Sequence, residues 1–303
     1  MDKIIRCITS DGAVMAYAID STDIVYTAKK IHKTSPVATA ALGRLLTAAS
    51  VMGAQLKQKN ASLTLRMNGD GPIGALIAVS DSNGNCRGYV SNPAVETERY
   101  ENGKLNVAKA VGKNGILNVM RDYGSGDPYF GNVEIVSGEI AEDIANYYAV
   151  SEQVPTVCAL GVLLDKESGE VLLAGGLLIQ LLPSADDETI KKLEASIAKL
   201  EPITTLLAKG YDVKKICEIA LEGFEVEVLD EMPINYICKC SREKVENTIR
   251  MMPDDEIRSL AEEKGYARAN CHFCNKNYRF TKKQLEDIIA SKKETQTDKS
   301  DNE

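Results

Sequence analysis

The chain of 303 residues reads as an α+β protein in three parts. A hairpin-rich core domain of mixed sheet and helix comes first, then a helical linker, then a small C-terminal four-cysteine zinc domain. Three observations lead there. Residues 1–182 mix short alternating strands with one long apolar helix and offer few strand–helix–strand alternations. Residues 183–231 hold three helical stretches and carry 12 Asp and Glu against 6 Lys and Arg, a well-solvated face. Residues 232–290 contain two tight cysteine pairs. The polar tail 291–303, SKKETQTDKSDNE, is expected to be disordered.

Taken in order, Ser35-Pro36 opens a helix, because Ser caps well and Pro suits the first helical position. Behind it Val37, Ala41, Leu45, Ala49, Met52 and Leu56 recur at helical spacing, and small residues such as Gly43 and Gly53 let this helix lie close to a sheet. Leu63, Leu65 and Met67 alternate with polar residues and run into the turn Asn68-Gly69-Asp70-Gly71. Residues 73–80 read as the returning strand and 87–90 as a third. A helix is expected over about 139–150, and strands over 154–165 and 170–174. In the linker, helices are expected over 187–200, 202–209 and 212–222. Their stripe, Ile190, Leu193, Ile197 and Leu200, has too few partners for a core of its own and must pack on a neighbouring domain. In the last part Ser241 caps one helix, Pro253 opens a second that Gly265 ends, and Thr281-Lys282-Lys283-Gln284 is a capping box for a third.

Composition narrows the function. The chain has 36 Lys and Arg against 44 Asp and Glu, a net charge of −8, which argues against a general binder of nucleic-acid backbones. With no Trp and 4 Phe it is also poor in base-stacking surface. No secretory apolar run opens the chain. The apolar stretch 37–56 contains Arg44, and 171–182 is short and broken by Gly175, Gly176 and Gln180, so both read as buried elements of a cytoplasmic protein rather than membrane spans.

In a reducing compartment standing disulfides are not expected. Cys7, Cys86, Cys158 and Cys217 lie singly in apolar sequence and read as small core residues. Cys238-Lys239-Cys240, then 30 residues, then Cys271-His272-Phe273-Cys274 is different. Four thiolates in two close pairs suit one tetrahedral Zn²⁺. His272 is not needed as a ligand. Each pair is also near enough in sequence to close a disulfide, so the site reads as structural zinc or, alternatively, as a redox switch. Residues 238–283 carry 11 Lys and Arg against 7 Asp and Glu; Lys239, Arg242, Lys276 and Arg279 are nearest the thiols and should favour thiolate. No phosphate-binding loop is present, and Gly69-Asp70-Gly71-Pro72-Ile73-Gly74 lacks its Lys and Ser/Thr. Of the two histidines, His32 reads as a surface residue, which leaves no catalytic triad and no catalytic residue.

The order of these segments resembles the redox-regulated 33 kDa chaperonin, or heat shock protein 33, family. The carriers are the C-K-C and C-H-F-C motif, GPIGALIAVSDSNGNCRGYVSNP (71–93), SEQVPT (151–156) and AGGLLIQLLP (174–183), within a likeness that spans about residues 1–290. The resemblance implies a holding chaperone of the stress response, not an enzyme, working in the cytoplasm without ATP. It implies zinc on Cys238, Cys240, Cys271 and Cys274 in the reduced, inactive state, and disulfides of the same redox-active cysteines in the active one. The implied partners are unfolding proteins and a second copy of the chain when oxidised, with no nucleic acid and no membrane. Two other classes fit the residues: a zinc-ribbon RNA- or ribosome-binding protein using the basic C-terminal segment, and a thiol–disulfide oxidoreductase using Cys271-x-x-Cys274.

Overall fold

A computed structural model of the chain describes residues 1–300, without the side chains of Lys264 and of 293–300. The chain divides into two compact units, Met1–Ile237 and a second that begins at Cys238. In the first, β1 (Lys3–Thr9) and β2 (Val14–Asp20) make a hairpin followed by α1 (Thr22–His32) and α2 (Pro36–Ala54). The hairpin β3 (Ser62–Asn68) and β4 (Ala75–Asp81), then β5 (Cys86–Val90), α3 (Val107–Val111), β6 (Ile116–Asp122) and β7 (Tyr129–Glu134), come next. They are followed by α4 (Ala141–Tyr147), β8 (Thr156–Leu164) and β9 (Val171–Leu181).

Alternation sets the layers. Leu63, Leu65 and Met67 of β3 are fully buried, while the alternating Arg66 and Asn68 face out. The second sheet has the order β5-β4-β3-β6-β7, all antiparallel. Helix α2 starts at Ser35, whose hydroxyl accepts the Ala38 N–H at 3.4 Å. It packs on β3, β4 and β5 of that sheet and on β2, β8 and β9 of the first. A helix covered on both sides is apolar all round, which is why this one has the length and hydropathy of a membrane span while buried in the fold. Gly53 makes the close approach possible: a Cβ there would lie 2.3 Å from Ser80 Oγ.

The other face of the first sheet is covered by α5 (Asp187–Ile197), α6 (Ile203–Ala208) and α7 (Val213–Ala220). Asp186 and Asp212 cap α5 and α7 through the Thr189 and Lys215 N–H groups, each at 2.8 Å. The stripe packs on a neighbouring part of the chain, as expected, and that part is the first sheet. Leu193 is buried with Ile5, Ala16, Ala18, Leu177 and Ile179 of the sheet, and Ile197 and Leu200 pack on the same cluster, while Ile190 is half-buried. The linker helices therefore belong to the first unit.

The segment expected to end the linker is a strand. β10 (Val226–Pro233) pairs antiparallel with β1, completing the order β10-β1-β2-β9-β8. Its acidic residues are largely solvated, as the sequence suggests, and two of them also pair with β1: Glu231 meets Lys3 at 2.9 Å and Asp230 pairs with Arg6. Ile234 beyond it is buried, and the Tyr236 hydroxyl donates to Gly88 O at 2.9 Å. The same hydroxyl lies 3.3 Å from His32 Nε2, so His32 is the half-buried last residue of α1 rather than a surface residue.

The second unit holds α8 (Arg242–Arg250), α9 (Asp254–Lys264), the hairpin β11 (Tyr266–Asn270) and β12 (Asn277–Thr281), and α10 (Lys282–Ser300). Among the described residues its core is nine buried apolar side chains, centred on Phe280, Ile257 and Leu285. The helix α10 continues ten residues past Ala290, into the tail expected to be disordered, because no Gly or Pro interrupts it. Residues 301–303 of that tail lie outside the described residues.

Candidate metal centre

The two halves of the centre are held by different means. Cys238 and Cys240 sit on extended chain just before α8, and Ser241 fixes the start of that helix by accepting the Lys244 N–H at 3.1 Å. Cys271 and Cys274 lie in the turn between β11 and β12. That turn is closed by Cys271 N–H to Lys276 O at 3.0 Å and Asn275 N–H to Cys271 O at 2.8 Å. Asn275 takes the left-handed conformation there, φ 56°, which Asn tolerates better than most residues. The hairpin is anchored to α10 by the box in which Thr281 N–H donates to Gln284 Oε1 at 3.0 Å and Gln284 N–H to Thr281 Oγ1 at 3.4 Å.

These elements bring four sulfurs within 4.8 Å of one another, each half-buried. Cys238 Sγ is 3.6 Å from Cys271 Sγ, and Cys240 Sγ is 3.4 Å from Cys274 Sγ. Metal–thiolate bonds of about 2.3 Å at tetrahedral angles place sulfurs about 3.8 Å apart, so the set could hold one metal ion with shifts of at most about 1 Å. His272 is not part of the cluster.

The electrostatics explain what such a set requires. Burial raises the Cys240 thiol, but its hydrogen bonds with the Tyr278 hydroxyl and with Cys274, Cys238 and Cys271 outweigh that and bring it down to about 7. The Cys238 thiol is pushed up to about 12, first by burial and then by hydrogen bonds toward Cys240, Cys271 and Cys274. Burial raises Cys274 as well. One thiolate forms readily and the next ones resist, since four negative sulfurs this close need a cation among them.

Two of the nearby basic residues also have a structural part. Arg242 lies 4.2 Å over the Phe280 ring and donates to Arg279 O and Gln284 Oε1, both at 3.0 Å. Arg279 lies 4.2 Å over Tyr266. These guanidinium groups brace the hairpin by cation–π stacking. The Tyr278 hydroxyl touches a ligand sulfur, with Oη 3.1 Å from Cys240 Sγ. The period-2 pattern of residues 277–281 puts Tyr278 and Phe280 on one face, a signal that was present in the sequence but not used.

Comparison with known proteins agrees with this architecture. The family model described as Hsp33 protein matches residues 2–281, a stretch that includes all four cysteines. The chain is 45% identical over 288 residues to the 33 kDa chaperonin of Clostridioides difficile, covering 95% of this chain and 98% of the relative. It is 44% identical over 288 residues to that of Bacillus subtilis, with the same shares covered. The crystal structure of the 33 kDa chaperonin (heat shock protein 33 homologue) of Thermotoga maritima superposes with a TM-score of 0.87 at 34% identity, covering 96% of this chain and 99% of the other. The chain belongs to the Hsp33 family of chaperonins.

Proposed function

We propose that the protein is a redox-regulated, ATP-independent holdase. It holds one zinc and is inactive when reduced. It is activated by oxidation in the cytoplasm, with zinc release and disulfide formation, and then binds unfolding proteins as a homodimer. The observation that carries this reading is the four-sulfur cluster in a unit whose apolar core is only nine described residues.

Zinc bound by Cys238, Cys240, Cys271 and Cys274 would supply a four-way cross-link and the counter-charge that keeps all four sulfurs ionised, worth about 10–16 kcal/mol of folding energy. Oxidation takes that ligand set away. Each cysteine pair gives up two electrons and two protons as its S–S bond forms, and one hydrogen peroxide accepts them and leaves as two waters. Closeness in sequence favours Cys238–Cys240 and Cys271–Cys274 as the products; bridges between the pairs are the competing outcome, since those sulfurs already lie 3.4 and 3.6 Å apart.

Without its ligands the second unit unfolds. The chain runs from β10 through Ile234 and Tyr236 into Cys238, so the strand loses its ordered continuation. Release of α5–α7 then uncovers Ile5, Ala16, Ala18, Leu177 and Ile179, an apolar sheet face of the kind that takes up unfolding clients.

Light scattering from a thermally unfolding client tests the reading. Reduced protein, oxidised protein and a chain ending at Ile237 are compared without ATP. The oxidised and shortened forms should protect and the reduced form should not. The end point matters: a chain ending at Glu231 would also lose buried Ile234 and the Tyr236 bonds of the first unit. Equal protection by reduced and oxidised full-length protein would leave the metal purely structural.

A further inference from the structure

The hairpin whose turn carries Cys271 and Cys274 also carries a phenol aimed at the other cysteine pair. Tyr278 lies on β12 opposite Ala269 of β11, and it is only 8% exposed, packed in the same apolar cluster as Phe280. From that seat its Oη lies 3.1 Å from Cys240 Sγ. Cys240 is held from its own side. Ser241 beside it starts α8 by accepting the Lys244 N–H, and Lys244 Nζ donates to Lys239 O at 2.9 Å. The contact therefore joins two anchored segments, and it reaches a ligand sulfur through a group that is not a ligand. We propose that Tyr278 is a positioning residue that sets the reactivity of the centre: its hydroxyl donates to the Cys240 sulfur and slows that sulfur's attack on electrophiles, hydrogen peroxide among them. The inference rests on the zinc and redox reading given above.

The direction of the bond follows from the acceptor. With zinc bound, the four sulfurs are thiolates with no proton to give, so the hydrogen in the Tyr278–Cys240 contact is the phenol's. Groups that bond to metal ligands tune them, and a hydrogen bond to an ionised sulfur draws charge from it. Thiolate nucleophilicity falls with basicity, along a Brønsted slope of about 0.4–0.5. A charge-assisted hydrogen bond of ordinary strength, scaled by that slope, slows the sulfur about 3- to 10-fold.

The step that is slowed is the first of two. The Cys240 sulfur attacks one peroxide oxygen, the S–O bond forms as the O–O bond breaks, and hydroxide leaves. A second thiolate of the centre then displaces hydroxide from the sulfenic acid as the S–S bond forms. Two thiolates and one peroxide thus give one disulfide and two hydroxides. Holding back the first step raises the peroxide level at which the centre is lost.

Tyr278→Phe removes the hydroxyl and keeps the ring. Full-length wild type and variant, each carrying one equivalent of zinc by elemental analysis, receive a short pulse of iodoacetamide, and singly modified chains are mapped. Cys240 should be alkylated about 3- to 10-fold faster in the variant, with Cys238, Cys271 and Cys274 within about twofold of wild type. A hydroxyl that only supports the hairpin would speed all four sulfurs together. That result, or equal labelling of Cys240, would overturn the proposal, as would a variant that no longer holds its metal. Cobalt in place of zinc supplies a second readout. The sulfur-to-metal charge-transfer absorption should move to longer wavelength in the variant, because a thiolate without its hydrogen bond gives up charge more easily, and an unmoved band would overturn the donor assignment. Peroxide is applied separately, and loss of the Cys240 thiol should quicken by the same factor. If neither protein reacts with peroxide while Cys240 alkylation still differs, the redox reading fails and the hold of Tyr278 on Cys240 stands.

Discussion

The two units solve the same problem with different means. In the first, α2 is covered by two sheets, and a cluster of 39 buried apolar residues extends from Ile4 to Ile234. In the second, nine described residues do that work, and the four half-buried cysteines stand beside them. A domain of some 60 residues buries a small share of its surface and is marginal without a metal or cross-link. The difference teaches where a chemical signal can act. Removing one interaction from the first unit leaves a large core behind, whereas the second unit has only its nine described core residues beyond the proposed metal centre.

Metal removal is the strongest way to break this comparison. A chelator that strips the metal, or Cys240→Ser, should withdraw a large part of about 10–16 kcal/mol from the second unit. Amides of β11 and β12 should lose their protection from hydrogen exchange, while those of β3, β4 and β6 keep theirs. Protection of β11 and β12 that survives metal removal would show that the nine-residue core is sufficient.

Matched core truncations sharpen it further. Leu65→Ala, at a fully buried position of β3, should cost about 2–5 kcal/mol, and Phe280→Ala in the second unit about 3–5 kcal/mol. The second loss also removes the ring beneath the Arg242 guanidinium. On the proposal that zinc binds only the folded second unit, raising free zinc to about 100 times its dissociation constant should return about 2.7 kcal/mol to Phe280→Ala and nothing to Leu65→Ala. Calorimetry with and without added zinc separates the two. Equal responses would mean that the units are not independently stabilised.

The contrast also governs what the sequence disclosed. Elements with local signals were legible: the Ser35-Pro36 start of α2, the Leu63, Leu65 and Met67 alternation of β3, the helices expected from Asp187 and Asp212, and the Thr281–Gln284 box. Elements that depend on a distant partner were not. β10 is acidic and exposed along most of its length, and its strand character comes from the ladder with β1, where Lys3 and Arg6 meet its acidic residues. The β1–β2 hairpin, and α3, β6 and β7 in the glycine- and asparagine-punctuated stretch 102–132, had no strong period of their own. The spacing of the ligand cysteines is local and was visible. The contact of the Tyr278 hydroxyl with Cys240 exists only once the fold brings them together.

The smallest effect expected concerns the first unit alone. Ser21 gives α1 no side-chain cap; instead the buried Asp2 carboxylate accepts the Asp23 and Ile24 N–H groups at 2.9 and 2.7 Å. Asp2→Ala should therefore cost about 1 kcal/mol, as loss of an N-cap does. The pH dependence has a definite sign. Burial pushes the Asp2 carboxyl from 3.8 up to about 7; the two N–H groups work against burial, and nearby Asp20 and Asp23 add to it. Between those two pH values the folded chain holds more protons here than the unfolded chain. The stability gained from this protonation is complete below about pH 4 and is lost as pH rises through about 7. Asp2→Asn, which cannot titrate, should show a shallower fall in first-unit stability over that window than the wild type. Denaturant midpoints of the chain ending at Ile237, measured every pH unit, decide the matter, and parallel curves would place the carboxylate in a far more hydrated setting than its burial implies.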